Sequence, residues 1–346
     1  MFDSLVGNSR VKELLRRMLQ RQSVPGALLF AGPEGVGKRL FALQLAKAAV
    51  CRDLRDGEAC DVCAACVRVM ATNPPSNSDK DADKKLTRTD HSDVVIAQAI
   101  LRSIRVDQIR DLEREAQYRP VEGRARYFLV DDAHLMQEQA SNALLKTLEE
   151  PTPTTRIILI TSRPASLLVT IRSRSQMVRF TPIAREEIRA DLVATANLSP
   201  ADATLLSGIA AGSLGRARSL DLDQYRSQRD LMLDALTAVS VTPDRARVLR
   251  VAEEICDPKR KDDYESHLDV LETLAVDVLH ALLDGSDGSL VNEDVRPRIQ
   301  SIARQIDRTV VSKWIQQIEA LRGQLKVNVN RKVASDALFL SMMVAA

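Results

Sequence analysis

Residues 32–38 read GPEGVGK and follow the short apolar run ALLFA at 27–31. Gly32, Gly37 and Lys38 complete the phosphate-loop pattern G-x-x-x-x-G-K, with Gly35 between them. Glycines let the backbone turn sharply, so successive N–H groups point at phosphate oxygens, and the helix that follows adds its N-terminal dipole. Lys38 would reach a terminal phosphate as a point charge. The plainer reading is a Gly-rich turn, and the full motif in a strand–loop–helix context argues against it. The next residue is Arg39, where the pattern has Ser or Thr. The missing hydroxyl ordinarily ligates Mg²⁺. A guanidinium is cationic and has no lone pair to offer in its place. Binding of ATP or ADP survives this change more easily than hydrolysis does, and Mg²⁺ is not expected to be well held.

A second group lies in YFLVDD at 127–132, an apolar strand ending in acid. Asp131 would face Mg²⁺ in a nucleotide hydrolase. Such enzymes usually place a Glu next, to orient the attacking water; here the position holds Asp132, one methylene shorter. A displacement on the order of 1 Å can cost ~100-fold in rate. The plainer alternative is that both acids cap the next helix. Arg39 and Asp132 agree in direction: each weakens hydrolysis and spares the scaffold.

Four cysteines, Cys51, Cys60, Cys63 and Cys66, are spaced C-x8-C-x2-C-x2-C. Four thiolates fit a closed, structural Zn²⁺ site with no open position for catalysis. Unligated thiols or a redox pair are the alternative, which four Cys so close together disfavour. Cys256 lies far away in a helical region and reads as a buried, small apolar residue. TIRSRSQMVRF places Arg172 and Arg174 before an apolar strand, and AAGSLGRARSL places Arg216 on a helix after a Gly-rich turn. An arginine at 174 could be presented to a phosphate on another subunit. Taken singly, each reads as a surface arginine.

The elements that would position these residues follow from periodicity. Short apolar runs at 27–31, 93–97, 127–132, 156–161 and 177–180 alternate with helical segments such as 106–117 and 137–149. That alternation predicts a parallel sheet covered on both faces. Residues 9–21 have helical spacing with Ser9 as N-cap. The polar stretch 71–92 reads as an exposed loop. Residues 184–220 suggest three short helices, and from about 224 every periodic segment is helical, most clearly 268–283 and 311–325. The chain is thus expected to be α/β, then all-α.

Composition limits the function classes. The chain has 346 residues, enough for two or three domains. A net charge of +2 demands no nucleic-acid or membrane partner, and 3% aromatics is low for a base-stacking single-strand binder. No apolar run approaches the ~18 residues of a membrane span. The N-terminus carries Asp3 and no apolar core, so no signal peptide is expected and the location is expected to be cytoplasmic. Cysteines in that compartment are not expected to pair as disulfides.

In order along the chain come the phosphate loop, the four-Cys insert, the acid-ended strand, NALLKTLEEP (142–151), SRS (173–175) and GSLGRA (212–217). This constellation resembles the bacterial DNA polymerase III clamp-loader subunits of the AAA+ superfamily. The resemblance covers essentially the first 220 residues, and the helical remainder fits that family's collar. It implies an AAA+ α/β domain over 1–180 with a zinc module at 51–66, a three-helix lid over 181–223 and a helical oligomerisation collar over 224–346. The family contains motor subunits, gamma and tau, and a non-motor stator with degraded ATPase motifs that lends an arginine finger to a neighbour's ATP site. Arg39, Asp132 and an end after the collar align this chain with the stator. The family's finger lies in a Ser-Arg-Cys motif, which matches Ser173, Arg174 and Ser175 except at the third residue. Its second sensor arginine maps to Arg216, and Thr161 sits where its first sensor residue would be. The partners implied are the gamma/tau and delta subunits, the sliding clamp, and primed DNA as part of the complex. The alternative is an autonomous motor ATPase of the gamma/tau kind, kept open by Lys38 and Asp131. A zinc protein reading DNA is less well supported, since the Cys module is poor in flanking Lys and Arg.

Overall fold

The computed structural model describes residues 2–75, 81–257, 263–283, 290–325 and 329–345. In the N-terminal half, α1 (Ser9–Gln20) precedes β1 (Ala27–Ala31), α2 (Lys38–Val50) and α3 (Ala64–Met70). Then come β2 (Thr72–Asn73), β3 (Thr87–Thr89), β4 (Val94–Ala97), α4 (Val106–Ala116) and β5 (Arg126–Val130). The sheet closes with α5 (Glu138–Glu149), β6 (Thr155–Thr161), α6 (Val169–Ser173) and β7 (Gln176–Arg179). The strand order is β2-β3-β4-β5-β6-β1-β7. All pairings from β4 to β7 are parallel, and β2 and β3 add an antiparallel edge.

Side chains alternate across a strand, so a run apolar at every position needs cover on both faces. Leu28, Phe30, Val94, Ile96, Ile158 and Ile160 face one core with residues of α1, α2 and α3. Leu29, Val95, Ala97, Ile157 and Leu159 face the other, with residues of α4, α5 and α6. From β1 the chain passes over β6 and β5 to reach β4, whereas from β6 it crosses β1 to reach β7. The loops leaving β1 and β6 thus diverge, and a crevice opens at the carboxyl ends of the strands, where such sheets bind ligands.

Two local expectations are corrected. Residues 71–92, read as an exposed loop, supply β2 and β3, and Leu86, Thr87, Thr89 and His91 are buried there. The polar composition misleads because backbone groups satisfy two of the buried side chains, Thr89 and His91. The Thr89 hydroxyl lies 2.8 Å from the Val94 carbonyl oxygen, and His91 Nδ1 accepts the Asp93 N–H at 3.2 Å. Residues 76–80 of this stretch lie outside the described residues. Ser9 is the first residue of α1 rather than its cap. Asn8 takes the cap position, and its side chain accepts the Thr181 N–H at 2.9 Å and donates to the Thr181 carbonyl at 3.2 Å.

The C-terminal half is helical: α7 (Arg185–Ala196), α8 (Pro200–Ile209), α9 (Leu214–Ser219), α10 (Leu222–Ser240), α11 (Arg245–Ile255), α12 (Tyr264–Leu283), α13 (Arg296–Ala303), α14 (Arg308–Leu325) and α15 (Arg331–Ala345). The described chain divides into two compact units, residues 1–191 with 211–218, and residues 192–210 with 219–346. The segment expected as a separate lid is shared out between these units. The second unit has its own core around Trp314, Tyr264 and Phe339, and half-buried Cys256 packs against it. Asp277, fully buried, accepts N–H bonds from Val291 at 2.7 Å and Asn292 at 2.9 Å. No described helix is long and apolar enough to cross a membrane.

Candidate functional site

The loop after β1 and the start of α2 form one wall of a cleft of about 350 Å³. Gly37 caps α2 with φ +92°, a conformation that favours glycine. At Gly35 the constraint is space: a Cβ there would come within 2.0 Å of the Ser213 hydroxyl, and the Gly35 carbonyl accepts the Gly215 N–H at 2.9 Å. Gly32 abuts the Phe180 carbonyl oxygen, 2.5 Å from where a Cβ would sit. Close packing thus fixes the loop with the N–H end of α2 turned to the cleft.

Lys38 is buried, and its Nζ donates to the loop's own carbonyls, Gly32 at 2.8 Å and Pro33 at 2.6 Å. Burial pulls its ammonium down from the usual lysine range, opposed by the charges of Asp132, Glu34 and Asp131. Asp131 follows β5 into the crevice. Its pKa is raised by burial and held back by the guanidinium of Arg39. Arg39 Nη1 lies 3.0 Å from Asp131 Oδ2 and 2.9 Å from Gln98 Oε1. Asp132 lines the same cleft, with a left-handed backbone at φ +50°. The donor set does not fit Mg²⁺: no hydroxyl follows Lys38, and a cation already engages Asp131. The N–H groups, Lys38 and Arg39 do fit the phosphates of a nucleotide.

Of the remaining sequence-predicted residues, Thr161 is fully buried and bonds His134 Nδ1 at 3.2 Å. Arg216 is not part of the cleft lining. Arg218, two residues on and on another face of the short α9, lines it and pairs with Asp191 at 2.7 Å. Sequence reasoning missed Gln98 and Arg218. A polar residue directly after the β4 run was the available signal for Gln98. For Arg218 there was none beyond its neighbourhood.

The four cysteines meet beside α2 and α3. Cys51 follows α2, Cys63 caps α3, and Cys66 is one turn into α3 on the same side. Sulfur separations are 3.6 Å for Cys51–Cys60, 4.0 Å for Cys60–Cys66 and 3.5 Å for Cys63–Cys66, and all four lie within 4.8 Å of one another. A tetrahedron with arms of ~2.3 Å has edges of about 3.8 Å, so the sulfurs fit Zn²⁺. Burial would raise the Cys63 thiol, but N–H donation from Arg52 and Cys66 and bonds from Cys66 and Cys60 lower it to about 6. Glu58 secures the loop by accepting from the Phe2 N–H at 2.8 Å and Arg16 Nε at 2.5 Å.

Arg174 lies at the C-terminal end of α6, at the surface. Its Nη2 pairs with Glu149 Oε1 at 2.8 Å, and its Nη1 donates to the Thr170 carbonyl at 3.2 Å. The two side chains are 36% and 49% exposed, so the pair is open to solvent and separable. Ser175, where the family motif has Cys, is buried and donates to the Ile171 carbonyl at 2.9 Å. A hydroxyl is therefore satisfied in that place. Glu149, from the NALLKTLEEP segment, was not singled out from sequence.

A phosphate loop at the crevice of this sheet, facing an acid-ended strand, defines an α/β fold of the nucleotide-binding kind. The family model described as "DNA polymerase III, delta subunit" matches residues 7–184, and its C-terminal counterpart matches 224–341. The chain belongs to this family of DNA polymerase III subunits. It is 27% identical to DNA polymerase III subunit delta' of Bacillus subtilis, over 96% of this chain and 95% of that protein. It is 32% identical to subunit tau of Salmonella typhimurium over 74% of this chain, and 28% identical to subunit gamma/tau of Mycobacterium tuberculosis over 94% of this chain. The matched region makes up 38% and 58% of those two longer proteins.

Proposed function

We propose that this chain is the non-motor, delta-prime kind of subunit of a DNA polymerase III clamp loader. One observation carries the reading: Arg39 engages Asp131 where a motor subunit would need a hydroxyl and a cation. The full-length likeness to a delta' subunit supports it as well. In this reading the helical unit joins the chain to gamma/tau and delta subunits, and the assembly places a sliding clamp on primed DNA. Arg174 reaches the γ-phosphate in the neighbouring motor subunit and stabilises charge developing there. Zn²⁺ on Cys51, Cys60, Cys63 and Cys66 is structural. With four sulfur ligands it has no position for a reacting water.

The test is Arg174→Ala in the reconstituted loader. DNA-stimulated ATP turnover at the site it serves should fall by ~10³-fold or more, with assembly intact. Unchanged turnover removes the finger from Arg174. The rival reading, an autonomous motor, draws on the intact Lys38 and Asp131 and on the likeness to gamma/tau. Steady turnover by the isolated chain, abolished by Lys38→Ala, would establish the rival and displace the stator.

A further inference from the structure

The cleft combines an intact phosphate cradle with a disabled metal site. The cradle has Gly35 and Gly37 in left-handed conformations, the first turn of α2, and buried Lys38 with Nζ resting on two loop carbonyls. A nucleotide phosphate would offer that ammonium stronger acceptors than neutral carbonyls do. On the metal side, the Asp131 side chain is only 14% exposed, and it already meets a fixed positive charge. Gln98 Oε1 holds the same guanidinium nitrogen from a second strand end. Gln98 is itself anchored, since its carbonyl accepts from Gln108 Nε2 at 3.0 Å. A divalent cation entering here would have to expel Arg39 and would find one protein oxygen ligand fewer than usual.

We propose that this cleft is a metal-independent site for a nucleoside di- or triphosphate, with the Arg39 guanidinium in the role that Mg²⁺ plays elsewhere. Asp131 and Gln98 hold that guanidinium by Nη1, which leaves the donors on Nη2 and Nε to offer phosphate oxygens. Lys38, Arg39 and Arg218 bring three positive charges to the lining, and Glu34, Asp131 and Asp132 bring three negative ones. Without Arg39 the lining would repel a polyphosphate unless a cation entered with it. Apolar Leu5, Val6, Ile183 and Leu214 are also part of the lining and suit the heterocycle of a nucleoside. The inference concerns the chain's own cleft and does not depend on any role for Arg174.

The experiment titrates the full chain with ADP and with ATP by calorimetry, once in EDTA and once in excess Mg²⁺. The expected result is binding whose affinity differs by less than about twofold between the two conditions. No binding in either condition overturns the proposal, and so does binding that requires Mg²⁺. Lys38→Ala should abolish the signal; binding that survives this change lies elsewhere and also overturns it. Arg39→Thr frees Asp131 and restores a hydroxyl. It should lose about tenfold or more in EDTA and regain affinity with Mg²⁺. Should Arg39→Thr fail to fold by thermal melt, Arg39→Gln keeps the polar stem without the charge. Unchanged affinity of that variant in EDTA would count against the guanidinium.

Discussion

Single side chains decide what the cleft and the cysteine module do. Arg39 and Asp132 are each one residue away from a hydrolytic pattern. The structure gives the first a positive part, since the guanidinium occupies the acid it would otherwise strand in a low-dielectric crevice. Burial of Asp131 raises its pKa, and Arg39 opposes that shift, so loss of Arg39 alone should favour the protonated acid. At the cysteine module, the four sulfurs lie within 4.8 Å of one another, close enough to serve as the four ligands of one Zn²⁺ ion. Cys63→Ser should lower zinc content by mass spectrometry well below one ion per chain. It should also lower the melting temperature by ~5 °C or more, because structural zinc binding is coupled to folding. A chelator should reproduce that shift in the wild type and leave the variant unmoved. Identical melting with and without chelator would remove the metal from the site.

Helices α5 and α6 bring Glu149 and Arg174 together at the element scale. They come from segments 25 residues apart in the chain, both packed on the same face of the sheet. An exposed ion pair contributes about 0–1 kcal/mol, so Glu149→Ala should leave the melting temperature within about 2 °C of wild type. The same variant measured in the assembled loader isolates positioning from stability. A change in ATP turnover at constant melting temperature reports on how Arg174 is held, and no change assigns the pair to the surface alone. The pairing was not legible in sequence, because helical periodicity tells which face of a helix is buried but not which neighbouring helix it meets. By contrast β1, loop and α2 were readable almost to the residue. A continuous apolar run, three glycines and a lysine leave few alternatives when the loop must turn within six residues.

At the scale of the whole molecule, the chain has two contact units with separate cores. Each is expected to unfold with its own transition in calorimetry. Buried Asp277 joins α12 to the segment at 291–292, where Asn292 Oδ1 also accepts the Tyr225 hydroxyl at 2.9 Å. Asp277→Ala strands the Val291 and Asn292 N–H donors, at about 1–3 kcal/mol for each group left unsatisfied. It should lower the transition of the helical unit and leave the chelator-sensitive transition in place. A single transition shifted equally by Asp277→Ala and by chelation would show that the two units unfold together.

The sequence by itself determined the strand–loop–helix of the phosphate loop, the alternation of apolar strands and helices followed by helices alone, the close spacing of the four cysteines and the two departures from a hydrolytic pattern. All of these rest on local spacing and on the chemistry of single residue types. Tertiary structure alone decided that Arg39 meets Asp131 and Gln98 across three elements, that Arg218 rather than Arg216 lines the cleft, and that Glu149 holds Arg174. It also turned part of a polar stretch into edge strands, since hydrogen bonds to backbone can satisfy buried Thr89 and His91 as well as solvent would. Those outcomes depend on which strand ends and helix faces the sheet order makes neighbours. No local pattern encodes that.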